Sequence, residues 1–163
     1  MFRVLAISLL AVTLSACGPD AQEVAARKYV EDMTPLLKRN AELSSSFLDL
    51  AALIKKKKAS PQSVADTLRD EMIPHARELL EGVEAIEPQT ESLSQIHTRG
   101  LVRAWKNRVS AYERMQSAWE SGDATAFESA ASDHQTVFKA EERYFKTTDT
   151  LLGEYELKLV RYP

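Results

Sequence analysis

The sequence predicts an all-α protein, an antiparallel up-down-up-down four-helix bundle. Three observations lead there. Apolar residues recur at alternating spacings of three and four through four long segments, the period of one face of a helix. No segment alternates apolar and polar residues as a half-buried strand does. The three connections are short and carry helix-boundary residues, so consecutive helices should lie as antiparallel neighbours.

The first helix follows Gly18-Pro19-Asp20 and places Tyr29, Met33, Leu36, Leu43, Phe47, Leu50 and Ile54 on one stripe, with Asn40 at the remaining seam position. Pro35 lies inside it and is expected to kink or break its first turns, because proline removes an amide donor and crowds the preceding turn. After Lys55-Lys56-Lys57-Lys58, the pair Ser60-Pro61 reads as a helix cap followed by a first-turn residue. The second stripe is Ala65, Leu68, Met72, His75, Leu79, Gly82 and Ile86, with Pro74 predicting another kink. Pro88 marks the next boundary. The third stripe is Leu93, His97, Gly100, Ala104, Ala111, Met115 and Ala118, flanked by Leu101, Trp105, Val109, Tyr112 and Trp119. Ser121-Gly122-Asp123 then supplies a stop glycine and a start aspartate. The last helix carries Phe127, Ala131, His134, Phe138, Glu141, Phe145, Thr148, Leu152 and Tyr155 without a phase slip.

The chain has 163 residues, one cysteine and a formal charge of −3, which fits one modest domain. One thiol makes neither an internal disulfide nor a four-thiolate metal site. The acidic balance gives no electrostatic footprint for nucleic acid. At the N-terminus Met1-Phe2-Arg3 precedes an apolar run from Val4 to Leu14 and then Ser15-Ala16-Cys17. A charged start, about ten apolar residues and small residues after them describe an export signal, too short to cross a bilayer comfortably.

Leu14-Ser15-Ala16-Cys17 matches all four positions of a lipobox, and in this the N-terminus resembles that of bacterial lipoproteins. The resemblance implies removal of residues 1–16 and a diacylglyceryl thioether on Cys17, often with a third chain on its amine. Two or three acyl chains anchor stably where one is marginal. The resulting division is a signal peptide at 1–16, an acylated cysteine and tether at 17–22 and the bundle at 23–163. Taking residues 1–16, with Arg3, from the chain leaves 147 residues at a formal charge of −4, so lipid rather than charge does the anchoring. Gly18 stands where an aspartate would resemble an inner-membrane retention signal, which points to the periplasmic leaflet of the outer membrane of a Gram-negative bacterium. No cofactor beyond the covalent lipid is implied, and the expected partner is another envelope protein.

A first helix of about 35 residues is on the order of 50 Å long. Lys55 to Lys58 should therefore lie far from the lipid, while the turn near Pro88 and the C-terminus return toward it. Glu78, Glu81, Glu84, Glu87 and Glu91 gather near that returning turn and should hold the bundle off an anionic leaflet. The C-terminal run from Tyr155 to Tyr162 reads either as a frayed helix end or as a contact with the leaflet interface.

Polar residues on the predicted core stripes are the first candidate site: Asn40, His75, His97, His134 and Glu141. Pairing of antiparallel neighbours brings Asn40, His97, Gly100 and Glu141 within about one helical turn of His75, one mid-bundle polar layer. Two imidazoles and a carboxylate suit a metal or small ligand. The same layer also reads as hydrogen-bonded residues that specify register, with Glu141 rotated to the surface. The Glu-x-x-His pair of di-metal bundles is missing, since Glu71 and His75 are four apart. Haem is not expected: there is no Cys-x-x-Cys-His, and the residue level with Met33 is Leu152, far from His134. The second candidate is a partner face, Trp105, Tyr112 and Trp119, which recur every seven residues and resemble interface anchors if exposed. The third is the lysine run Lys55, Lys56, Lys57 and Lys58, read as an acidic-partner contact or as a solvated helix end. No phosphate loop, nucleophile elbow or His-Glu-x-x-His motif is present, so the chain reads as a non-enzyme.

Overall fold

A computed structural model describes residues 20–162, and the signal segment, the lipobox Leu14, Ser15, Ala16, Cys17 and Gly18 lie outside the described residues. The fold is an all-α four-helix bundle of four rods. The first rod is α1 (Ala21–Lys55). The second, 61–84, joins α2 (Pro61–Thr67), a π-helical stretch Leu68–Met72 and α3 (Ile73–Glu84). The third, 91–120, joins α4 (Glu91–Ile96), a second π-helical stretch His97–Val102 and α5 (Arg103–Glu120). The fourth is α6 (Ala124–Leu152), closed by a short 3₁₀ turn Gly153–Tyr155. Among the described residues no helix is long and apolar enough to cross a membrane.

The boundaries follow local chemistry. Asp20 caps α1 by accepting from the Gln22 amide at 3.2 Å, so the helix begins at Ala21 and the expected tether to residue 22 is two residues too long. Ser60, Thr90 and Asp123 cap their rods in the same way, accepting from the amides of Ser63, Leu93 and Ala126. Two turns are closed by left-handed residues. At Gly122 (φ 70°) the Asp123 amide reaches the Ala118 carbonyl at 2.8 Å, and at Lys57 (φ 54°) the Lys58 amide reaches Leu53 at 3.0 Å.

Pro35 does not break α1, which is 35 residues long and continues past it to Lys55. Its ring is on the exposed face, where water can satisfy the carbonyl it leaves free. Pro74 acts differently. Its missing donor is preceded by a π turn in which the Ile73 amide reaches back to the Leu68 carbonyl. That turn inserts one residue into the helical phase. The core stripe consequently moves from the expected His75 and Gly82 to Ala76 and Val83, both buried. In the third rod the second π stretch does the same, replacing Gly100 with Leu101 in the core.

The rods are not equally close. α6 packs along α5 and α1 against α3, whereas the seam between α1 and α6 is spanned by long side chains. At one end Tyr155 donates to Gln22 at 2.9 Å, joining the close of the fourth rod to the start of the first. Glu156 (φ 58°) then turns the chain back. Residues 156–162 form neither a frayed helix nor a free tail: Leu159 is buried, its amide donates to Asp149, and Arg161 pairs with Asp149 at 2.7 Å while lying 5.3 Å over the Phe145 ring. This strap lies over the α1–α6 seam.

Candidate functional site

The single polar layer expected from pairing arithmetic is divided into three tiers along the bundle axis. The tier nearest the chain start holds Tyr29 from α1, His97 from the second π stretch and Tyr144 from α6. His97 Nε2 lies 2.8 Å from the Val83 carbonyl, which can only accept, so Nε2 donates and Nδ1 accepts from the Tyr29 hydroxyl at 2.8 Å. Tyr29 in turn accepts from Tyr144 at 2.6 Å. The relay ties three rods and closes an end carbonyl of α3. Burial lowers the pKa of His97 and raises those of both tyrosines, which keeps the chain of bonds neutral.

One turn further along α6, Glu141 meets Arg108 and Trp105 from α5. Arg108 donates to one Glu141 oxygen at 2.7 Å, the Trp105 indole donates to the other at 2.6 Å, and Arg108 also donates to the Asn40 side chain. Arg108 is 2% exposed and Glu141 5%. Glu141 does not rotate to the surface: the Arg108 ion pair and the Trp105 indole donor hold it inside. Two turns beyond, His134 is completely buried between Phe47, Tyr112 and Phe138, with ring centroids at 4.1, 4.8 and 5.0 Å. Among the described residues neither of its ring nitrogens has a hydrogen-bond partner. Burial, reinforced by the Arg108 charge, pushes its pKa down to about 3, so the ring is neutral and packs as an aromatic.

His75 joins none of these tiers. The inserted π residue turns it toward the half-exposed edge of the second rod, where burial and Arg39 lower its pKa and Glu78 and Glu42 oppose them. Among the described residues no three His, Cys, Asp or Glu side chains are grouped as a metal centre would need. The groove of about 330 Å³ over Asn40 and Glu141, flanked by Leu48, Phe138 and the strap at Val160, has a polar floor already engaged by Arg108. Of the five candidate ligand residues, Asn40, His97 and Glu141 are hydrogen-bonded within the bundle, His134 is enclosed by aromatic rings, and His75 stands apart at the edge of the second rod.

The proposed partner face is corrected by the same geometry. Trp105 and Tyr112 are 1% exposed and belong to the core. Trp119 is half-buried and packs edge-on against Phe127 at 4.8 Å. Seven-residue spacing of aromatics identified a core stripe, because α5 is enclosed by α2, α3 and α6. Lys55 to Lys58 are all exposed and enter no ion pair among the described residues. Sequence reasoning missed Arg108, although it occupies the one vacant position of the third stripe, four after Ala104 and three before Ala111. A charged residue in a seam was the available signal.

The fold and the tiers define an all-α bundle whose core carries two hydrogen-bonded polar clusters and one histidine packed among aromatic rings. Comparison of the chain with family models, curated proteins and solved structures gives no match.

Proposed function

We propose that the chain is a bacterial cell-envelope lipoprotein. Acyl chains on Cys17 hold it in the periplasmic leaflet of the outer membrane, and its bundle is a non-catalytic protein-interaction module. The observation that carries this reading is the complete Leu14-Ser15-Ala16-Cys17 lipobox behind a short charged and apolar leader. The geometry supports it in two ways. Asp20 caps α1 three residues after Cys17, so an acylated Cys17 would have a short tether and the end formed by Gln22 and Tyr155 would face the membrane. The lysine run occupies the opposite end, on the order of 50 Å away along α1.

With Trp105 and Tyr112 in the core, the contact falls to that distal end. Four exposed lysines stand beside Leu53, itself 45% exposed, and suit an acidic surface on an envelope protein. The core imidazoles are engaged or enclosed, which favours binding over chemistry. Lysine-directed crosslinking in native membranes tests the assignment. Wild-type protein should give a discrete adduct with an envelope protein, and replacing Lys55 to Lys58 by serine should abolish its co-purification under mild detergent. Undiminished co-purification in that variant would reject the distal contact.

A further inference from the structure

Seven of the described arginines face a carboxylate. Arg27 pairs with Glu23, Arg39 with Glu78, Arg69 with Asp66 and Asp70, Arg77 with Glu113, Arg108 with Glu141, Arg114 with Asp133 and Arg161 with Asp149. Arg99, Arg103 and Arg143 have no such partner among the described residues. All three line one groove, of about 480 Å³, between the third rod and α6. No aspartate or glutamate lines it. In a chain of net charge −3, the described arginines that face no carboxylate are thus collected in one concavity, where Arg143 also donates through Nε to the Lys139 carbonyl at 3.2 Å.

The groove is built for more than a bare ion. Arg99 and Arg103 stand one turn apart on one wall and Arg143 on the other, with Asn107, Thr136 and Thr147 also lining the groove; the two threonine hydroxyls donate to the Asp133 and Arg143 carbonyls of their own helix. Its floor is apolar, with Ala104, Ala140 and the Tyr144 ring. Gly100 lets the third rod lie close to α6 here, with a β-carbon position at van der Waals distance, 3.4 Å, from the Tyr144 ring. The volume matches the range of small-molecule clefts. Guanidinium groups take phosphate oxygens bidentately, and three of them balance a charge near that of a diphosphate.

We propose that this groove is a binding site for a small soluble molecule carrying a diphosphate, or two adjacent phosphates, on an apolar or aromatic body. The phosphates bridge Arg99 and Arg103 to Arg143, and the body lies on Ala104, Ala140 and the Tyr144 ring. The site is separate from the distal lysine end and does not depend on Cys17 being acylated.

Calorimetric titration of the processed full-length protein with pyrophosphate, in nonionic detergent at low ionic strength, tests it. Saturable one-to-one binding is expected, weakening with added salt. Arg103→Gln and Arg143→Gln should each reduce the affinity at least about tenfold. Arg77→Gln, which removes an exposed but paired arginine, should leave it unchanged. All three positions are exposed, and circular dichroism on each variant verifies an intact bundle. Three results would overturn the proposal: no saturable pyrophosphate binding, binding unaffected by Arg103→Gln and Arg143→Gln, or tighter binding of citrate than of pyrophosphate. If only micelles containing phosphatidylglycerol produce an arginine-dependent heat, the groove recognises a lipid headgroup and the soluble-ligand assignment is wrong.

Discussion

Arg108 sits where hydrophobic spacing calls for an apolar residue, and the bundle answers it with Glu141, Asn40 and the charge-facing ring of Phe138 at 5.9 Å. Removing one partner of a buried pair leaves an uncompensated charge, at a cost of about 3–5 kcal/mol, whereas replacing both with apolar groups is often neutral. Arg108→Met should therefore lower stability by about that much in chemical unfolding, and Arg108→Met with Glu141→Leu should recover most of it. A harmless single variant would show that the pair does not matter to the fold. His134 makes a separate prediction. The ordinary histidine pKa is about 6.5, and in the folded chain it is pushed down to about 3. Between those values the unfolded chain binds a proton that the folded chain does not, so this histidine leaves stability intact above pH about 6.5 and erodes it as pH falls toward about 3. The slope approaches about 1.4 kcal/mol per pH unit. His134→Phe should flatten the decline in urea stability between pH 7 and 4, roughly the window those two pKa values bound. It should not abolish it, because the lowered pKa of His97 acts with the same sign. The sequence revealed that Asn40, His97, His134 and Glu141 lie in seams. What each one touches was not legible there, because partners such as Tyr29, Trp105 and Arg108 come from other rods.

At the level of elements, the four rods, their caps and their turns were readable because each is set by neighbouring residues: Ser60-Pro61, the Gly122 turn and the Asp123 cap stand where local chemistry puts them. The phase within the two middle rods was not. A π turn changes which face is buried without changing composition, so His75 and Gly100 were assigned to the core and Ala76 and Leu101 were not. Turn chemistry itself is testable. Lys57 adopts a left-handed conformation that glycine takes without steric penalty, and Lys57→Gly should raise stability by about 0.5–1 kcal/mol. Gly122→Ala should lower it by about 1 kcal/mol, since a β-carbon is strained at φ 70°. Thermal melts of the two variants should move in opposite directions. Shifts of the same sign would contradict the capping account of these turns.

For the whole molecule, the start of α1 and the Tyr155 turn meet at one end, from which the strap runs back along the α1–α6 seam, and the lysines occupy the other end. On the proposed reading, fatty acid on Cys17, three residues before the Asp20 cap, would fix which end faces the membrane. The most direct measurement of that claim is metabolic labelling with radioactive palmitate, followed by membrane fractionation of wild type and Cys17→Ser. The account predicts label on the processed wild-type chain, none on the variant, and release of the variant into the soluble envelope fraction. An unlabelled wild-type chain, or a variant that stays with the membranes as before, would contradict it.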